Sequence, residues 1–282
     1  MGQPWGVEWS ASRRRGSDTE LRGWVALALK ACDAADATAL RQFRQEVAIS
    51  RKPDRTYVTA VDREIERLLR ERILGAHPDH GVVGEEYGIE DAGAAVRWYV
   101  DPIDGTHNYL RGIPVFATLV AVERDGELQA AVISAPALGS RWYAWRGGGA
   151  WASSGNAAGR PRRLRASEIA ALADAQVCYG DGPSVEAAAP GFRGLLGAAW
   201  RTRGFGDFWG YALVAEGAAE AMIEVGLAPW DVAAPLVLVE EAGGRLTDLA
   251  GTRSVTTSDY LASNGRLHDE ILARLAEDRS PG

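Results

Sequence analysis

Val96-Arg97-Trp98-Tyr99-Val100-Asp101-Pro102-Ile103-Asp104-Gly105-Thr106 runs a β-branched, aromatic stretch straight into two aspartates and a turn. Val96 to Val100 reads as a buried strand. Acids just past such a strand are costly to desolvate unless a cation compensates them. Pro102 stiffens the backbone and lets Asp101 and Asp104 turn toward one place, with the Ile103 carbonyl as a further oxygen donor. Gly105 and Thr106 lead into Asn108-Tyr109-Leu110, an expected helix start, where free N–H groups can hold a phosphate.

Two more acidic islands flank this one. Gly84-Glu85-Glu86 follows Val82-Val83, and Trp230-Asp231-Val232-Ala233-Ala234 opens a helix. Taken alone, each is also what a solvated turn or a helix cap looks like. Together they predict a site for a hard divalent cation such as Mg²⁺, which takes carboxylates, water and substrate phosphate as ligands. The chain has only Cys32 and Cys178 and 4 His, so any metal is held by oxygen.

Farther out, residues 1–18 lack periodicity and read as an arm. A helical stripe (Leu21, Trp24, Val25, Ala28, Leu29, Cys32) predicts a helix from Glu20 to about Ile49, and Thr59 with Asp62 starts a second that stops near Gly75 and Pro78. Short strands follow at 81–83, 96–100, 116–122, 129–134 and 141–145, with a hairpin at Asp125-Gly126 and a final turn at Gly147-Gly148-Gly149. The polar stretch from Ser153 to Arg165 is the best internal boundary, which divides the chain into halves at 19–155 and 156–282. Beyond it, helices are expected at 168–173, 184–196, 208–217, 232–242 and 266–276, alternating with short strands. The order predicts a layered α/β protein of two packed halves.

The charge count, 31 basic against 38 acidic residues, leaves −7 and argues against nucleic-acid or anionic-membrane partners. No apolar run is long enough to span a bilayer, and Arg13-Arg14-Arg15 is not followed by the apolar stretch of a secretory signal. The two cysteines suit a reducing compartment, and a cytoplasmic location is expected. With 10 Trp, a homodimer is expected, with some of Trp5, Trp9, Trp142, Trp145 and Trp151 at its interface.

The three islands resemble the signature of the inositol monophosphatase superfamily, the lithium-sensitive Mg²⁺-dependent phosphatases, from about residue 20 to the end. The resemblance implies a layered αβαβα fold and hydrolysis of a small phosphate monoester. It implies two or three Mg²⁺, with Mn²⁺ as a substitute, on Glu85, Asp101, the Ile103 carbonyl, Asp104 and Asp231. Gly105 and Thr106 then hold phosphate, and Thr106 with Glu85 orients the attacking water. Asn108 to Gly112, Ser134 to Leu138 with Arg141-Trp142, and Gly206-Asp207-Phe208-Trp209 resemble the histidinol-phosphate phosphatase branch. There, Glu224 and Asp207 would face the substrate's cationic amine, with Asp231 also on the substrate side. Two departures stand out. Thr56 replaces the acid of an Asp-x-Val-Thr stretch, with Asp54 and Asp62 as the candidate substitutes, and His107 follows Thr106. The rival readings are an inositol or 3′-phosphonucleotide phosphatase, or a non-catalytic regulatory protein keeping the fold. Gly147-Gly148-Gly149 lacks the Gly-Lys-Ser/Thr of a P-loop.

Overall fold

The computed structural model describes residues 16–45, 49–51, 57–154 and 160–277. Helix α1 (Asp18–Gln42) starts where the Ser17 hydroxyl accepts the Glu20 N–H, and its apolar stripe is buried. It ends short of the expected Ile49. Arg44 takes φ 63° and donates to the Gly112 carbonyl (3.0 and 3.1 Å), and the chain then forms β1 (Ile49–Arg51), antiparallel to β2 (Tyr57–Thr59). Helix α2 (Ala60–Ala76) opens as expected. Thr59 Oγ1 accepts the Val61 and Asp62 N–H groups, and Asp62 accepts the Thr59 N–H.

Strands β3 (Gly81–Gly84), β4 (Gly88–Glu90) and β5 (Val96–Asp104) precede the short α3 (Thr106–Leu110). Then come β6 (Ala117–Arg124), β7 (Glu127–Ala135), β8 (Ser140–Trp145), β9 (Gly149–Ser154) and β10 (Arg162–Arg163). They form a sheet ordered β10-β9-β8-β7-β6-β5-β3-β4. Asp125 (φ 50°) and Gly126 (φ 82°) make the expected hairpin turn. The expected turn at Gly147-Gly148-Gly149 is present, and it reverses the chain into a strand not foreseen, β9, which pairs with β8.

The remaining elements are β11 (Gln176–Tyr179), α4 (Gly182–Ala188), α5 (Phe192–Ala198), β12 (Arg201–Arg203), α6 (Asp207–Glu216), β13 (Ala221–Glu224), α7 (Pro229–Glu241), β14 (Arg245–Asp248), β15 (Tyr260–Ser263) and α8 (His268–Leu275). The second sheet is ordered β12-β11-β13-β15-β14. The single helix expected at 184–196 breaks at Pro190-Gly191, where a Cβ on Gly191 would sit 1.7 Å from the Arg274 carbonyl oxygen. The helix expected at 168–173 is absent, and only a 3₁₀ turn at Leu172–Asp174 occurs there.

Alternating side chains build the layers. Val82, Val100, Val120 and Val132 face α1 and α2 on one side of the first sheet. Tyr99, Leu119, Ala131 and Ile133 face α6 and α7 on the other. The same central helices cover Cys178, Met222 and Ala262 of the second sheet, whose outer residues Val177, Ala221, Ile223 and Leu261 pack on α4, α5 and α8. This is the expected αβαβα stack. Two of the tryptophans expected at an interface belong instead to the core. Trp142 donates to Glu216 (2.7 Å) and Trp145 to Asp18 (2.8 Å), both buried. Trp5 and Trp9 lie outside the described residues.

Candidate active site

Residues three apart on a regular strand point to opposite faces. Asp101 and Asp104 nevertheless converge, because β5 carries a bulge. Asp101 pairs with Leu119 and Asp104 with Ala117, so one extra residue on β5 restores a common side. The buried Thr118 hydroxyl, in the gap of that register, donates to the Pro102 carbonyl (2.9 Å) and fixes the bulge. Gly105 then turns the chain at φ 79°. A Cβ there would lie 3.0 Å from the Val115 carbonyl oxygen, so the turn into α3 needs glycine. Thr106 Oγ1 donates to the Ile103 carbonyl (2.9 Å), which keeps a second lone pair.

Glu85 arrives by register. β3 is parallel to β5 with Gly84 beside Val100, so the residues that follow, Glu85 and Asp101, emerge side by side. Beneath the turn lies a fully buried carboxylate, Glu66 of α2. It accepts the N–H groups of Glu86 (2.6 Å) and Tyr87 (3.1 Å) and is paired with Arg70 (2.9 Å), which also donates to the Gly88 carbonyl. A Cβ on Gly84 would sit 2.1 Å from Glu66 Oε1, so this anchor needs glycine above it.

Asp231 comes from the first turn of α7, where its Oδ2 accepts the Ala228 N–H (2.8 Å). A carboxylate is favoured there by the helix dipole. Asp101, Asp104 and Asp231 each place a carboxylate oxygen within 4.8 Å of the others. Asp104 Oδ2 accepts the Phe208 N–H at the start of α6 (2.6 Å), and Glu224 Oε1 accepts the neighbouring Asp207 N–H (3.0 Å). Asp207, at φ 56°, accepts from Asn108 (3.0 Å). Two carboxylates thus cap one helix and tie its start to both sheets.

The electrostatics are strained. Burial, reinforced by Glu85, Asp104, Asp231 and Asp62, pushes the Asp101 carboxyl well above its usual range. Burial, with Asp207 and Asp231, does the same to Asp104. Glu224 is pushed up to about 8 by burial and then by Asp207. Asp101 Oδ1 and Glu224 Oε2 are buried with no hydrogen-bond partner among the described residues.

The Inositol monophosphatase family model matches residues 20–280. The chain belongs to this family. It is 44% identical over 254 residues to a histidinol-phosphatase of Mycobacterium tuberculosis, covering 88% of this chain and 96% of that protein. It is 40% identical over 214 residues to an inositol-1-monophosphatase of Rhizobium meliloti, covering 73% and 77%. Among solved structures, the extragenic suppressor protein suhB of Bartonella henselae superposes with a TM-score of 0.82 at 28% identity, covering 90% of this chain and 99% of that one. The protein is a phosphatase of this family.

Of the residues singled out in the sequence, Asp101, Asp104 and Asp231 converge, and Glu85 lies near enough to raise Asp101. Asp207 and Glu224 adjoin on the α6 side. Asp62 is buried and its charge adds to the rise of Asp101, while its own carboxylate is held by the Thr59 N–H and hydroxyl; Thr56 and Asp54 lie outside the described residues. His107 is exposed, and its charge works against the rise of Asp207. Trp209 packs against Phe205 in a tilted pair (centroids 4.6 Å apart). Sequence reasoning missed Glu66, Arg70 and Thr118. Glu66 and Arg70 sit four apart on the helix face that also carries Ile73, and a charged pair on a buried face was the signal available.

Proposed function

We propose that this phosphatase hydrolyses L-histidinol phosphate to L-histidinol and phosphate with Mg²⁺ as cofactor. The donor set fits a hard cation: all its donors are oxygens, three carboxylates meet within 4.8 Å, and one Asp101 oxygen is buried without a partner. Glu85, Asp101, the Ile103 carbonyl, Asp104 and Asp231 would hold two or three ions. When bound, Mg²⁺ neutralises phosphate charge and makes a coordinated water acidic enough to attack.

The chain's own groups do the rest. The N–H groups of Gly105 and Thr106 receive the phosphate oxygens. Thr106 Oγ1 donates its hydrogen bond to the Ile103 carbonyl, so its oxygen would be left to accept a hydrogen bond from the attacking water. Glu85 would be the second acceptor, setting the water in line with the leaving oxygen. The buried turn under Glu85 keeps that acceptor in place.

The observation that carries the substrate is Glu224. It is a buried carboxylate beside Asp207, with the Tyr211 hydroxyl as a neutral neighbour and no cation against it among the described residues, and a bound ammonium would relieve both carboxylates. A neutral inositol ring offers only hydroxyls there. The 40% identity to an inositol-1-monophosphatase makes that ester the competing substrate. With Mg²⁺, kcat/KM for L-histidinol phosphate is expected to exceed that for inositol 1-phosphate at least ~10-fold. Glu224→Gln is expected to shrink the ratio mainly through KM for the cationic ester. Equal efficiency on both esters, or a variant that loses both alike, would overturn the assignment.

A further inference from the structure

We propose that a pocket at the far end of α7 binds a small molecule carrying two or more phosphate groups. Asp231 lies in the first turn of α7 and Glu241 is its last residue, so the pocket at Glu241 is about 15 Å along the axis from the acid site. The cavity is about 450 Å³, large enough for a small organic anion, and Arg163, Arg165 and Arg266 line it.

Arg163 and Arg165 flank the buried Leu164, so the extended chain turns both of them outward on one side. The frame behind them is pinned. The Ala166 N–H donates to the Ala242 carbonyl (2.9 Å). The Asn264 amide donates to Ser167 Oγ (3.0 Å) and accepts the Arg266 N–H (3.1 Å). Among the described residues, none of the three arginines has a carboxylate within 4.0 Å. Glu241, one of two acids in the lining, accepts the N–H groups of Gly147 and Gly149 and faces Arg146. Glu168 is the other.

In a chain with seven more acids than bases, basic groups ordinarily find partners. Arg163 rests over the Trp151 ring (5.8 Å) and all three guanidiniums are exposed, so it is their gathering around one cavity without a carboxylate partner that points to a multiply charged anion, whose phosphates match their forked donors. The C-terminal end of α7 opposes an anion with about half a charge, well short of three full ones.

The test is calorimetric titration of the full chain with inorganic tripolyphosphate in EDTA at low salt, with citrate as the comparison. Saturable one-site binding is expected, weakened at least ~30-fold by the combined Arg163→Gln, Arg165→Gln, Arg266→Gln variant and ~3–10-fold by each single change. Asp104→Asn is expected to leave it unchanged. Phosphate-ester turnover with Mg²⁺ is expected to survive in the triple variant, which also reports that it folds. Should that variant not fold, the three single variants decide the matter. Absence of saturable binding, equal binding by all the arginine variants, or loss in Asp104→Asn would overturn the proposal. Tighter binding of citrate than of tripolyphosphate would overturn the phosphate class.

Discussion

Two buried polar clusters stand at opposite extremes of satisfaction. In the second sheet, His268 is fully buried, yet each ring nitrogen has a partner: Nε2 with Thr247 Oγ1 (2.9 Å) and Nδ1 with Ser263 Oγ (2.8 Å). Thr247 Oγ1 donates a hydrogen bond to the Asp248 carbonyl, and Ser263 Oγ accepts the Gly265 N–H. A neutral ring with its proton on Nε2 completes that chain, and burial lowers its pKa to about 4. The acid site does the reverse. Its carboxylates raise one another, and oxygens on Asp101 and Glu224 are left without partners. A cluster that closes on itself locks elements together, whereas one that does not close stores a demand for cations.

The sharpest way to break this contrast is Asp104→Asn. It is expected to cut Mg²⁺-supported turnover at least ~100-fold while the metal-free protein melts no lower, because it removes a like charge from the cluster. A near-neutral effect on turnover would erase the distinction. His268→Ala is the mirror experiment. Losing the ring orphans two hydroxyls and opens a cavity, for an expected ~2–4 kcal/mol loss in denaturant unfolding. Activity per folded molecule is expected to be unchanged.

A smaller effect is expected beneath Glu85. Glu66→Gln keeps an acceptor for the turn but loses the ion pair with Arg70, and Mn²⁺ titration followed by magnetic resonance is expected to show ~10-fold weaker binding. Unaltered affinity would make Glu66 a purely structural anchor.

The pH dependence of stability without metal separates the clusters most finely. Glu224 binds its proton more tightly folded than unfolded, so its contribution is lost as pH rises from the ordinary 4.5 toward about 8. His268 binds its proton more weakly folded, so its contribution is lost as pH falls from 6.5 toward about 4. Between 4.5 and 6.5 the two slopes oppose each other, so thermal melts in EDTA are expected to fall chiefly above 6.5, with Glu224→Gln making that fall shallower and uncovering the rise due to His268 below it.

The acid islands, the Thr59 cap and the Asp125-Gly126 hairpin were legible in the chain because each depends on neighbours a few residues away. The same locality explains the failures. Helical periodicity could not show that Arg44 would leave α1 to reach Gly112, or that Gly191 would meet the Arg274 carbonyl, since both partners are remote. Nor could composition show that Trp142 and Trp145 would find Glu216 and Asp18 inside the fold.

By itself, then, the sequence determined which residue types stand at strand ends and helix starts, and so the oxygen character of the site and the family. Only the tertiary structure decided that they meet. The bulge against Leu119 and Ala117 puts Asp101 and Asp104 on one side, the parallel register of β3 brings Glu85 beside them, and α7 delivers Asp231. The physical reason is that chain-local forces set a side chain's chemistry and backbone state, whereas its direction and its ionisation depend on which strand lies alongside and how much water that packing removes.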